Sequence, residues 1–514
     1  MMGILRTILF AATGLAATGA AFAQQTDSAS LFRTQREHAS PVAALAATAY
    51  ATPALRSEAF AGSLSEISVG YEMRREEKAL EQQKGDGGDF GRFSAGSYKH
   101  ISGKGTVWGD AGYLRGAKRN VVWNASSDYD LVFPYVVADS IGGDLTSEEY
   151  TFGGGYGHRS GRYTWALEAG ARALHEYRDS DPRIRNVAID IDAGAGASVR
   201  MGNYRLGLSA ALRVYKQSDS QIQYAHSAGE KGVYHLSGLG SHYAGFEGNA
   251  NSQTRYRGSG YGLTLALVPD AGRGGLHLAA GYEYLHIEKE LPGSADLVLQ
   301  KVVPRSFHAE AAWLGGSGNG LRWGVALKAR YDYRRGDEGI VDDNNSSQGS
   351  GTLGFLTLFE YSALQGRAEA VFGVEAAGHA WYVCPWGEYR RRTSDYLYPA
   401  QNMEFTRAGG GVDFRCVLQR RSLLLRLEAG GGYTAGLDSG LTLPVADLAA
   451  PLVRMVQYDY DRLRQDAATF RLGLRADYAL RRRMSLFLAA DYGGGLYGDN
   501  TAAHHARVAC GIAF

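Results

Sequence analysis

Polarity alternates with a period of two residues over most of this chain, and no other feature narrows its fold so far. In VAIDIDAGAGASVR (187–200), Val187, Ile189, Ile191, Ala193, Ala195, Ala197 and Val199 share one face. Asp190, Asp192, Ser198 and Arg200 share the other with glycines and Ala188. Successive side chains of an extended strand point to opposite sides, so the pattern gives one apolar and one polar face. After Met201-Gly202-Asn203, YRLGLSAALRVY (204–215) sets Tyr204, Leu206, Leu208, Ala210, Leu212 and Val214 against Arg205, Ser209 and Arg213. Two such runs around a short connection predict an antiparallel hairpin.

The same reading recurs at 64–76, 88–101, 105–118, 149–158, 162–177, 255–268, 275–287, 304–314, 321–334, 352–363, 367–382, 404–417, 422–434, 468–479, 484–497 and 505–514. Together these runs predict about eighteen strands, within a range of roughly 16 to 20. The connections alternate in length. Ser102-Gly103-Lys104, Arg159-Ser160-Gly161, Met201-Gly202-Asn203, 269–274, 315–320, Leu364-Gln365-Gly366, 418–421 and Leu480-Arg481-Arg482-Arg483 are short, whereas 119–148, 216–254, 335–351, 383–403 and 435–467 are long. Outer-membrane barrels have this asymmetry, with tight periplasmic turns, long extracellular loops and an even strand number. The expected fold is all-β, a transmembrane antiparallel up-and-down β-barrel over residues 62–514.

A soluble propeller or sandwich would show the same alternation with its apolar face turned inward. Three features favour the membrane: the loop asymmetry, the aromatic residues near strand ends (Trp108, Trp165, Tyr177, Trp323, Tyr333, Trp381, Tyr492) and the final residues RVACGIAF. There Val508, Cys510, Ile512 and Phe514 share the apolar phase, and an aromatic ring suits the membrane interface. Phe514 resembles the C-terminal signal of bacterial outer-membrane barrels, which the barrel-insertion machinery reads. No later run of about eighteen apolar residues would serve as a helical span.

The beginning of the chain reads differently. Arg6 precedes an apolar run from Ile8 to about Ala20, and Ala21-Phe22-Ala23 is a small-x-small cleavage pattern, so 1–23 is expected to be a secretory signal peptide. Residues 24–61 do not alternate. Ser30 to Ala49 is alanine-rich, interrupted by Pro41 and followed by Pro53, and predicts a short periplasmic or lumen-inserted helix and loop. No separate plug domain or energy-coupling box is expected from these residues.

Composition fits this reading: 69 Gly and 32 Tyr against 11 Pro suit a large antiparallel sheet. Lys and Arg (54) balance Asp and Glu (53), so no global field attracts nucleic acid. Three cysteines at wide separations make no disulfide framework. Cys416 and Cys510 lie on the apolar phase and are expected to face lipid.

Thr52-Pro53-Ala54-Leu55 resembles, with Thr52 in place of Asn, the Asn-Pro-Ala box near the start of barrels of the long-chain fatty-acid transporter type. The opening segment and FPYVVADSIGGDLTSEEYTFGGGY (133–156) resemble an uncharacterised family of bacterial outer-membrane β-barrel proteins. That resemblance implies an outer-membrane location with unassigned cargo, and a surface nutrient receptor or lipoprotein as a partner besides the lipid and the insertion machinery.

If the apolar phase faces lipid, the polar phase faces the lumen, because a charge at the bilayer midplane costs about 2–4 kcal/mol. The pore-lining candidates are Glu168, Arg172, Asp190, Asp192, Arg200, Arg205, Arg213, Lys328, Arg330, Arg426, Glu428, Arg471, Arg475 and Asp477, with Glu283, Asp332 and Arg507 on the same phase. Both signs are present, as expected of ion-pair ladders or a selective pore wall. Inward Gly194, Gly196, Gly207 and Ala211 leave room. Asp499, His504, His505 and His286 near the outer rim are the residues a hydrolase would use, but general-base chemistry needs a second group within hydrogen-bond reach. The stretches 336–349 and 458–466 carry oxygen ligands without the spacing of a calcium loop. No cofactor motif is present. Three functions remain: a pore or substrate-selective channel for small solutes, a closed barrel that binds a surface receptor or secreted protein, and, third, an outer-membrane hydrolase.

Overall fold

The computed structural model describes residues 28–514 apart from 224–232, 244–250, 271–273, 293–296, 317–319, 342–351, 445–449 and 482. The expected signal peptide lies outside the described residues. Among those described, eighteen antiparallel strands form one sheet, each paired with the next in sequence from Leu64–Glu76 to Ala502–Ala513. First and last strands pair from Glu66↔Ala513 to Glu76↔Ala503, so the sheet is a closed barrel. Ser65 and Phe514 complete the seam by exchanging backbone hydrogen bonds of 2.9 and 2.8 Å. Closure leaves no unpaired strand edge, the condition for a sheet to stand in hydrocarbon.

Burial is inverted relative to a soluble sheet. Leu212, Leu327 and Leu488 are 68%, 66% and 61% exposed on the exterior, whereas Arg205, Glu310 and Asp477 inside are buried. Trp165, Trp381 and Tyr492 stand on the outside as expected, but Trp108 does not. It occupies the phase opposite to its strand's apolar residues and packs inward near Ala54.

The hairpin of Arg183–Met201 and Tyr204–Gln223 has the expected register, with Ile191 opposite Val214 and Asp192 opposite Arg213. Gly202, at φ 62°, turns the chain. One expected turn is misplaced. Leu364-Gln365-Gly366 lies inside the strand Thr352–Glu375, and the supposed loop 383–403 is mostly strand, His379–Tyr396 followed by a turn into Gln401–Arg420. The cause is a bulge: Gly336 pairs with Phe359 and Asp337 with Thr357, leaving Leu358 as an extra residue. Leu353 and Phe355 point outward before it, Leu364 and Phe372 after it. One inserted residue reverses the parity, so a single strand imitates two.

The short turns gather at the barrel end that carries Phe514, and the long connections at the other. Residues 28–62 fold into the lumen at the short-turn end as the helices Ser28–His38, Pro41–Ala44, Ala47–Tyr50 and Pro53–Arg56. Pro41 and Pro53 start their helices, where a missing N–H costs nothing. Glu37 accepts hydrogen bonds from Ala61 N (2.6 Å) and Gly62 N (3.1 Å), and His38 stacks on Phe60. Phe32, Val42, Leu45 and Ala46 bury against the inward residues Ala312, Ala326, Val371, Tyr382 and Leu424. Gly196 and Gly207 do not leave open space, since Ala54 and Leu55 pack onto them.

The long-connection end is also filled. Val132, Tyr135 and Val136, Leu236 and Leu239, and Leu452, Met455 and Val456 of the helix Pro451–Leu463 form an apolar layer on the inward Ile287, Phe359 and Phe405. Val137–Asp139 pairs with Val233–His235 within it.

Candidate functional site

Between the two layers the lumen retains a cavity of about 840 Å³, bordered below by Arg56 and Trp108 and above by Tyr129, Asp130, Leu131 and Phe133. A second space of about 530 Å³ shares Tyr129, Asp130, Arg172, Asp190 and Arg213 with it, so the two are lobes of one chamber. The wall recedes because neighbouring strands present Gly153, Gly170, Ala211 and Gly262 inward.

Several sequence candidates meet here. Arg213 grips Asp190 with two hydrogen bonds, 2.9 and 2.6 Å, and Arg172 bridges Asp128 (2.6 Å) and Glu149 (3.2 Å). Arg330 pairs with Asp332 at 2.9 Å, and Glu168 lies 3.9 Å from Arg56. Asp192 lines the chamber with no ion pair or hydrogen bond among the described residues, and so does Asp110.

The other candidates lie elsewhere. Arg205 joins Glu58 (2.9 Å), which fastens the N-terminal segment at the short-turn end, and Asp270 (3.3 Å), which Arg200 also joins (2.6 Å). Asp477 accepts from Gln35 Nε2 at 3.1 Å and pairs with Arg475 and Arg426. Glu428 pairs with Arg415, which donates to Ala39 O. Arg426, Glu428 and Arg475 border a separate space of about 440 Å³ with Glu66 and Arg507. Arg471 pairs with Asp413 at 2.8 Å, and Lys328 with Glu369 at 2.7 Å.

Other chamber residues were not selected from the sequence. Asp110 sits on the inward phase of its strand, so the parity rule contained it. Arg392 lies in 383–403, where the alternation predicts a loop and the strand His379–Tyr396 stands instead. Arg334 donates to the carbonyls of Phe133 and Asp130, and both guanidiniums lie near the Tyr361 ring, 5.8 and 5.6 Å from its centroid.

Among the described residues the rim candidates are engaged separately. Asp499 is held by Arg462 and Thr501, and His504 hydrogen-bonds Tyr492 at 3.0 Å. His286 faces Glu288 at 3.3 Å. Within 458–466, Asp459 accepts from Gln83 Nε2 at 2.7 Å and Asp466 from Gly436 N at 2.8 Å, so these carboxylates serve the loop layer. Residues 342–349 of the other oxygen-rich stretch lie outside the described residues. All three cysteines are free; Cys510 is exposed, and Cys384 packs beside the N-terminal helices.

A family model described as "Family of unknown function (DUF6850)" matches residues 53–514. The chain belongs to this family. No curated protein matches the DUF6850 chain. Among solved structures it is similar to BauA, the ferric preacinetobactin receptor of Acinetobacter baumannii, at 9% identity and a TM-score of 0.37, covering 88% of this chain and 79% of that one. It is similar to Fiu, the ferric-catecholate import receptor of E. coli K12, at 8% identity and a TM-score of 0.38, covering 87% and 81%. The family match begins inside Thr52-Pro53-Ala54-Leu55, whose likeness to fatty-acid transporters extends no further than those four residues.

Proposed function

We propose that this DUF6850 barrel is an outer-membrane transport protein that passes small polar solutes through its lumen by way of the internal chamber. The observation that carries the reading is the charged chamber itself, a polar space inside an apolar-coated barrel between two layers of the same chain. The lower layer is fastened by polar ties such as Gln35 to Asp477 and Glu58 to Arg205, which can release without disturbing the barrel ladder. Export by a cleaved signal peptide, and insertion guided by Phe514, belong to this reading.

Single-channel conductance in a planar bilayer tests it. The full chain is expected to conduct rarely and briefly, and a variant lacking 28–60, in which the outer layer alone still fills the bore, to open measurably more often. A folded but silent deletion variant would overturn the transport reading. A closed barrel that docks a receptor or secreted protein would then be the better account, since the outer layer has an apolar core of its own.

A further inference from the structure

Resting on the chamber just described, we infer that its ligand is a linear zwitterion of short-peptide length, held by its ammonium group at one wall and its carboxylate at the other. The acidic pole is built on glycine. Asp110 and Asp192 flank the paired residues Gly153 and Gly170 in one row across four strands. Each carboxylate leans over the glycine beside it: Asp110 Oδ1 lies 3.2 Å from where a Cβ on Gly153 would stand, and Asp192 Oδ1 lies 2.6 Å from that of Gly170. Two anionic groups thus border a floor without side chains, and neither has a cation of the protein within ion-pair distance among the described residues. Glu168 adds a third charge nearby, with Arg56 at 3.9 Å.

The basic pole is Arg334 and Arg392 beside Tyr361. Arg334 spends its two terminal nitrogens on backbone carbonyls, and the nearest carboxylate of Arg392 is Glu81 at 3.8 Å. The Nε of each is buried without a partner. Arg392, whose terminal nitrogens make no hydrogen bond among the described residues, presents the planar fork that suits a carboxylate, and Arg334 adds its charge beside the same ring.

Separation of the poles sets the ligand's length. Asp192 and Arg334 stand five strands apart in the barrel order, roughly 24 Å along the wall at about 4.8 Å per strand. A free amino acid cannot reach both. An extended tripeptide, spanning about 10 Å, reaches once the side chains of both poles project toward it. The cavity of about 840 Å³ accommodates one, within the roughly 300–1,000 Å³ of small-molecule sites.

Titration calorimetry of the detergent-refolded full chain tests this with triglycine, N-acetyl-triglycine and triglycine amide. Triglycine is expected to bind, and loss of either terminal charge to weaken binding at least 10-fold. Asp192→Asn should weaken triglycine while leaving N-acetyl-triglycine unchanged. Equal binding of the three peptides, or binding of none, would overturn the inference; because these comparisons use the unaltered chain, a variant that misfolds cannot obscure them. Conductance is read separately. A conducting barrel that ignores the terminal charges keeps the transport reading and loses this one, and a silent barrel that discriminates does the reverse.

Discussion

Replacing Glu58 with Gln should loosen the N-terminal segment without weakening the barrel. Glu58 and Arg205 are both nearly buried, 8% and 4% exposed at their side chains, and meet at 2.9 Å, with Asp270 as a second partner for Arg205 at 3.3 Å. Gln keeps the volume and an oxygen for the Thr164 hydroxyl, which donates to Glu58 at 2.9 Å, but removes the charge. Breaking a buried ion pair costs about 3–5 kcal/mol when the survivor is left alone. Here Asp270 remains, so the loss falls to about 2 kcal/mol, within the range of one charge-assisted hydrogen bond. At about 1.4 kcal/mol per decade this is roughly a 30-fold rise in the open population of the segment. Glu58 precedes the first strand, so the change should appear as local opening. Hydrogen exchange by mass spectrometry should show residues 28–60 exchanging about 30-fold faster and the strands unchanged. Unaltered exchange in the segment, or equal acceleration in the strands, would refute the reasoning.

The carboxyl of Asp459, on the helix Pro451–Leu463, is pushed up to about 7 by burial. Because the folded value exceeds the unfolded one, the fold favours the protonated acid, and the stabilisation is complete below about pH 4 and lost as pH rises through about 7. Exchange in that helix, corrected for its intrinsic pH dependence, should therefore increase from pH 5 to 8, and Asp459→Asn should flatten the trend. Leu212→Arg, placed on the lipid face, should cost about 2–4 kcal/mol, read as a lower urea midpoint in vesicles; no change would mean that face is not in hydrocarbon. Phe514→Ala should slow assembly in cells, followed by the heat-modifiable band on gels, while leaving the refolded protein's stability nearly unaltered.

Strand number, parity and the ends of the short turns were legible because the barrel wall enforces alternation residue by residue. Legibility failed where geometry broke the period. Leu358 reversed the phase inside one strand and hid Arg392 in an imagined loop. The outer layer was hard to read because Tyr135 and Leu236 pack without any period, and the helical spacing of Leu452, Met455 and Val456 is confined to one short helix within a long connection. The chamber was only half visible: parity placed Asp192 and Arg213 inside, but not which neighbours they face. That Arg205 and Asp477 tie down the N-terminal segment depends on Glu58 and Gln35, remote in sequence and free of any motif. Trp108 shows the limit of composition, since a tryptophan near a strand end can serve the membrane boundary or the lumen and only its phase decides.

The seam between Leu64–Glu76 and Ala502–Ala513 restricts the routes into the bore during biogenesis. The helices that fill the lower lumen directly precede the first of these strands, and sixteen further strands of the barrel separate it in sequence from its seam partner. Once the two have zipped together, the only passages into the bore are the two mouths. The leading segment must then be threaded before the wall closes or enter through the turn-lined mouth afterwards, and any later withdrawal must run along the barrel axis and never sideways into lipid.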